Sequence, residues 1–164
     1  MPARLVGFGA LAGLVVLLDQ VSKAWVMESF RLYESRPVLD GWFHLTYVRN
    51  PGAAFGLFAG SAEAFRVPFF LGVTAIALGV IAVIAWRLPK GRPVLFTALA
   101  LVFGGAVGNL IDRVRWGEVV DFFDVFWRTH HWPAFNIADS AISVGMTLLI
   151  AAELFGKRDG KKVG

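Results

Sequence analysis

Val67-Pro68-Phe69-Phe70-Leu71-Gly72-Val73-Thr74-Ala75-Ile76-Ala77-Leu78-Gly79-Val80-Ile81-Ala82-Val83-Ile84-Ala85-Trp86 contains no charge, and Thr74 is its only polar side chain. A bilayer core of about 30 Å takes roughly 20 apolar residues as a helix, so this stretch reads as a complete membrane span. Three further stretches meet the same criterion: about Leu5 to Met27, Val94 to Ile111, and Ile137 to Phe155. None is clearly amphipathic, as suits helices that face lipid and one another. The expected fold class is membrane α. Four transmembrane helices, at about 5–27, 67–86, 94–111 and 137–155, form a single membrane-embedded domain over 1–164, with outer loops at 28–66 and 112–136.

Composition agrees. Of the 164 residues, 57% are hydrophobic and 17% charged, against roughly 45–50% and about 25% in soluble domains. Cysteine is absent, which removes disulfides, thiol nucleophiles and thiolate metal sites. Three histidines (His44, His130, His131) without an HExxH pattern argue against a zinc hydrolase, and no metal or cofactor is expected.

The net charge of +4 lies in short segments rather than on a nucleic-acid-binding face. The link Arg87-Leu88-Pro89-Lys90-Gly91-Arg92-Pro93 has three cations and no acid; the tail carries Lys157, Arg158, Lys161 and Lys162 against Asp159. Positive segments stay in the cytoplasm, so both termini are expected inside and both long loops outside. Arg4 before the apolar run Leu5–Leu18 has the look of a secretory signal, but no small-x-small cleavage site follows. The first span is therefore expected to be retained.

The outer loops carry structure of their own. Trp42 to Val48 is aromatic and β-branched after a turn at Asp40-Gly41, and reads as a strand. Glu118 to Trp127 reads as a second, and together they predict a small extracytoplasmic β-sheet on the membrane surface. Gly52 to Phe65, small and apolar with phenylalanines at 55, 58 and 65, predicts a short interfacial helix. His130-His131 beside Trp132 reads as an interfacial loop.

Polar groups in or beside a span are costly and by default mark function. Asp19 lies about 21 Å along the first helix from Leu5, at 1.5 Å per residue, with Lys23 one turn on as an ion-pair partner. Asn109, Asp112 and Arg113 close the third span beside Gly104 and Gly108, whose spacing lets helix backbones approach. Asp121 stands among Val119, Val120, Phe122 and Phe123, where desolvation raises a carboxyl pKa towards that of a general acid. Phe122 and Phe123 are candidates to exclude water and accept acyl chains. Asp139 opens the fourth span three residues after Asn136. That spacing suits a capping box as well as catalysis. Asp121 and Asp139 flank the same face, and two carboxylates at one depth cannot both ionise readily. One then activates water while the other polarises an amide carbonyl. Ser22-Lys23 is a poor dyad because adjacent helical residues point roughly 100° apart, and Ser140 has no lysine nearby in sequence.

Asp19-Gln20-Val21-Ser22-Lys23, Asn50-Pro51-Gly52-Ala53-Ala54-Phe55, Gly104 to Arg113, Val119-Val120-Asp121-Phe122 and Phe135-Asn136-Ile137-Ala138-Asp139-Ser140 resemble, in order, the motif boxes of bacterial lipoprotein signal peptidase (signal peptidase II). The resemblance covers nearly the whole chain. It implies an aspartic endopeptidase of the bacterial cytoplasmic (inner) membrane, cutting diacylglyceryl-modified prolipoproteins just before the lipidated cysteine. It places the catalytic pair on Asp121 and Asp139, and a supporting or substrate-binding shell on Asp19, Asn50, Gly52, Gly108, Asn109, Asp112, Arg113 and Asn136; the spacing of Lys23 from Asp19 adds Lys23 to that shell. It further implies a surface sheet and short interfacial helix closing over the signal peptide. Lipid-modified prolipoproteins and membrane lipids are the expected partners, and a monomer is the expected state. Pro51 departs from the small polar residue more usual there. The rival readings are a small proton-coupled transporter using Asp19, Asp112 and Asp139 as relays, and a non-catalytic assembly chaperone. Against the transporter, the second span lacks acids and the other spans hold theirs towards one end.

Overall fold

The computed structural model describes residues 3–52, 58 and 60–155. Four helices dominate: α1 (Ala3–Ser29), α2 (Glu63–Arg87), α3 (Pro93–Trp116) and α4 (Ile137–Phe155). Each is long and apolar enough to cross a membrane. Four strands lie between them: β1 (Ser35–Leu39), β2 (Phe43–Asn50), β3 (Val119–Trp127) and β4 (His130–His131).

Helix α3 is the central element, touching all three others, and its small residues make that possible. A methyl on Gly104 would sit 2.8 Å from the Ala12 carbonyl oxygen of α1, and one on Gly105 would strike the Ala138 carbonyl of α4. Gly145 of α4 returns the fit, lying against the Ala98 carbonyl and Val102. Association in lipid lacks a hydrophobic drive between helices, so close backbone approach is what small residues supply.

Pro93 begins α3, where its missing N–H costs nothing. The helix runs to Trp116 rather than stopping at Ile111, because Asp112 and Arg113 find partners inside the protein. Gly117 closes it at φ +71°, its N–H donating to the Arg113 carbonyl at 3.0 Å. Asp112 and Arg113 therefore sit on a helix, not in the outer loop expected from 112 onward.

The sheet is antiparallel throughout, in the order β1-β2-β3-β4. Its β1–β2 connection is the expected Asp40-Gly41 turn, with Gly41 at φ +80° and the Trp42 N–H donating to the Leu39 carbonyl. Both expected strands are present. Strand β1, exposed along its length and containing Pro37, is an edge that tolerates proline; it carries no alternating pattern and was not anticipated. His130-His131 is a two-residue strand on Phe126 and Trp127, not a loop. Six of the fourteen residues of the interfacial helix expected over Gly52 to Phe65, 53–57 and 59, lie outside those described; of the rest, Phe58 and Gly60 to Ala62 are turn or irregular, and Glu63 to Phe65 belong to α2.

A cluster of Val26, Phe30, Tyr47, Val120 and Phe122, flanked by Trp116 and Ile137, locks the sheet onto the ends of α1, α3 and α4. Burying such side chains contributes roughly 1.5–3 kcal/mol each. The cluster fixes β3 against the start of α4.

Candidate active site

Asp121 is on β3 between two core residues, Val120 and Phe122, and is only 2% exposed. Val48 faces it across the ladder, and Asn50 lies two positions further along β2 on the same side, opposite Val119. A bulge between Leu45 and Val48 sets that register, a common device beside functional sites. The Asn50 amide donates to Asp121 Oδ2 at 3.0 Å. Its own Oδ1 accepts the Gly52 N–H at 3.0 Å, which fixes the amide's orientation. Asn136 Nδ2 donates to Asp121 Oδ1 at 2.7 Å. Burial, and then the nearby Asp139 charge, push the Asp121 carboxyl up from 3.8 to about 7; the Asn50 and Asn136 amides and the Lys23 charge only partly oppose this.

Asp139 occupies the first turn of α4 in a reciprocal capping box. Its N–H donates to Asn136 Oδ1 at 2.9 Å, and the Asn136 N–H donates back to Asp139 Oδ2 at 3.2 Å. Asp139 Oδ1 accepts from Asn109 Nδ2 at 2.8 Å. Asn136, fully buried, thus touches both carboxylates: its side chain holds Asp121 and its backbone holds Asp139. The capping and dyad readings of Asp139 are compatible, because the cap is what aims the carboxylate.

Beneath this pair lies a buried ionic cluster. Lys23, 1% exposed, directs its ammonium to Asp19 Oδ2 (2.8 Å), Asp112 Oδ2 (2.9 Å) and Asn109 Oδ1 (3.0 Å). Three acceptors match three hydrogens. Asp19 Oδ1 accepts the Ala138 N–H at 3.0 Å and so caps α4 from a different helix. Asp112 Oδ2 also takes the Val120 N–H at 3.0 Å, anchoring β3 beside Asp121. Gly108 is required here, since a methyl on it would lie 2.6 Å from Asp19 Oδ2. Buried charges persist only when paired and hydrogen-bonded, and each of these is.

Arg113 clips the loop after β2 to α3, donating to the Gly52 carbonyl at 3.0 Å, while its guanidinium lies 4.7 Å from the Phe70 ring. Its Nε is buried without a hydrogen-bond partner among the described residues. A cleft of about 530 Å³ opens over the pair, lined by Asn50, Asn109, Arg113, Asp121 and Asp139, and it continues along α4 past Ser140 and Ser143 to half-exposed Val144.

All eleven residues singled out from the sequence meet in this one region. Gln20 had been passed over: its amide donates to Asp112 Oδ1 at 2.9 Å and to Asp19 Oδ2 at 3.2 Å. An amide beside an acid within a span was the signal that could have found it. Ser22 spends its hydroxyl on the Asp19 carbonyl, away from any dyad. Phe122 is corrected: it is 3% exposed and packed in the core, so it cannot meet acyl chains. Phe123 packs on Phe135, with ring centroids 5.4 Å apart.

The chain resembles known proteins over most of its length. The family model described as "Signal peptidase (SPase) II" matches residues 11–155. A lipoprotein signal peptidase of Syntrophus aciditrophicus (strain SB) is 51% identical over 150 residues, covering 92% of this chain and 93% of its own. That of Geobacter sulfurreducens (strain ATCC 51573 / DSM 12127 / PCA) is 54% identical over 134 residues, covering 82% of each. A bacterial membrane enzyme solved by the in meso method superposes with a TM-score of 0.84 at 33% identity, over 96% of this chain and 93% of that one. These likenesses support the peptidase and not the transporter, and the chain belongs to the signal peptidase II family, multi-pass peptidases of the bacterial inner membrane.

Proposed function

We propose that this peptidase is an aspartic endopeptidase, with Asp121 and Asp139 as its catalytic pair and diacylglyceryl-modified prolipoproteins as substrates, cut before the lipidated cysteine. The observation that carries the reading is the bridging of two carboxylates by Asn136 at the mouth of one cleft, with Asp121 holding its proton up to about pH 7. A carboxylic acid kept neutral beside an ionised one is the arrangement that peptide hydrolysis by water needs.

In the proposed step, ionised Asp139 takes a proton from water as the hydroxide adds to the scissile carbonyl carbon. Protonated Asp121 gives its proton to the carbonyl oxygen, forming a gem-diol. Asp139 then returns a proton to the leaving nitrogen, the C–N bond breaks, and Asp121 recovers a proton from a diol hydroxyl. Atoms and charge balance, and both acids regain their starting states.

The cleft's course along α4 into the span suits a signal segment lying in the bilayer with its lipidated end at the surface. Asp19, Lys23, Asn109, Asp112 and Asn136 serve as the rigid frame, and Arg113 with Gly52 fixes the loop beside the cleft. The sheet and the acids share one end of the bundle. Arg4 and the Arg87–Arg92 link share the other, joined by the Arg4 guanidinium donating to the Leu88 and Trp86 carbonyls. This supports cytoplasmic termini and an active site at the outer face.

Purified protein supplied with a lipid-modified prolipoprotein tests the reading. Asp121→Asn and Asp139→Asn should each lose turnover by at least about a hundredfold, as for loss of a general acid or base, while keeping the fold. Normal cleavage by either variant would remove that residue from the pair.

A further inference from the structure

At the end of the bundle away from the acids, a second cleft of about 560 Å³ lies between the first turns of α1, the α2–α3 link and the start of α3. Its rim carries Arg4, Lys90 and Arg92, and among the described residues no carboxylate lines it. Phe8, Leu11 and Phe96 form its apolar wall, with the Phe8 and Phe96 rings edge-to-face at 5.5 Å. Arg4 is committed to the carbonyls at the C-terminal end of α2, and its Nε is buried without a hydrogen-bond partner among the described residues. Lys90 and Arg92 are exposed, and neither side chain has an ion-pair or hydrogen-bond partner among the described residues. The first turn of α3 adds positive potential, having no acid and no side-chain cap.

We propose that this cleft binds one anionic phospholipid of the cytoplasmic leaflet, with its phosphate between Lys90, Arg92 and the start of α3 and an acyl chain along Phe8, Leu11 and Phe96. Charge complementarity decides the occupant. Uncompensated cations around an apolar wall at a span's end match a headgroup attached to hydrocarbon, whereas a soluble anion would leave the wall wet. The bound lipid joins α1 to the link and to α3, adding to the Arg4 contacts. The choice of leaflet rests on the proposed orientation of the chain; the binding chemistry does not.

Titration of the intact protein with phosphatidylglycerol and with phosphatidylcholine, read by native mass spectrometry, tests this. One phosphatidylglycerol should be retained in preference to phosphatidylcholine. Lys90→Gln with Arg92→Gln should weaken it by about tenfold to thirtyfold, at roughly one decade or less per cation. Gly7→Leu provides an independent arm, since the added side chain meets nothing within 4 Å at Cβ and would fill the cleft without touching its charge; it too should weaken retention. Arg36→Gln, on the sheet, should leave it unchanged. Equal retention of both lipids, undiminished retention in both cleft variants, or displacement by millimolar inorganic phosphate would overturn the proposal. Orientation is read separately by labelling Lys90→Cys, the sole thiol in a cysteine-free chain. Labelling from outside would move the site to the other leaflet and leave the lipid result standing.

Discussion

Replacing Asp121 by asparagine should stabilise the protein at neutral pH while destroying turnover. The carboxyl is almost wholly buried, and its pKa rises from 3.8 to about 7. A raised folded-state pKa means that the native protein holds a proton the unfolded chain has released. Native stability is thus fully present below about 3.8, falls as pH climbs to about 7, and stays reduced above it. About three pKa units at about 1.36 kcal/mol each give an upper limit of about 4 kcal/mol. Asparagine has no charge to bury and follows no such slope. It carries a constant cost instead, because its new amide faces the Asn50 amide that Gly52 holds in place, roughly 1–3 kcal/mol for a lost buried hydrogen bond. The informative quantity is therefore the change with pH in the difference between variant and parent. At roughly 2–4 °C per kcal/mol for a chain of this size, the variant's Tm should gain up to roughly 8–16 °C on the parent between about pH 4 and pH 8. Intrinsic fluorescence of the six tryptophans in detergent micelles would follow it. Parallel Tm curves, or a variant losing ground as pH rises, would refute the claim that Asp121 is the buried, proton-holding member.

Three further outcomes follow from the same contacts. Turnover of a lipid-modified substrate should fall about tenfold per pH unit above an apparent value near 7, as the Asp121 proton is lost; a plateau to about pH 9 would assign that proton elsewhere. Gly108→Ala places a methyl 2.6 Å from Asp19 Oδ2 and should cost about 1–3 kcal/mol of stability with most of the activity, both measurable on one preparation. Lys23→Met leaves Asp19 and Asp112 buried without their cation, a loss of about 3–5 kcal/mol by thermal melting; adding Asp19→Asn should recover part of it, and no recovery would mean the cluster is not coupled.

The sequence makes the spans legible because lipid imposes a strong constraint: every backbone group must be satisfied within the helix, so twenty uncharged residues have one reading. It makes the Asn136–Asp139 capping box and the Asp19–Lys23 pair legible because both are local, at spacings of three and four residues. Strand β1 stayed hidden for a matching reason, since an exposed edge with Pro37 needs no alternating pattern. The end of α3 was misplaced because charge suggested a loop, although Lys23 and Val120 satisfy Asp112 within the protein. What no local pattern could show is the long-range pairing of Asp19 with the first turn of α4 and of Asp112 with β3.

Those long-range contacts explain why acids gathered at one end of a small membrane protein divide into two kinds. Asp19 and Asp112 share one lysine and the Gln20 amide, and each also accepts a backbone N–H belonging to an element that carries one of the other two acids. They hold α4 and β3 in place, as a loop in water could not. Among the described residues, Asp121 and Asp139 receive only amide and backbone donors, with no cation hydrogen-bonded to either. A direct ammonium contact on Asp121 would favour its ionised form and remove the proton that the proposed reaction transfers. Keeping the lysine one layer below, bonded to Asn109, which in turn donates to Asp139, supplies rigidity to the pair without neutralising the difference between its members.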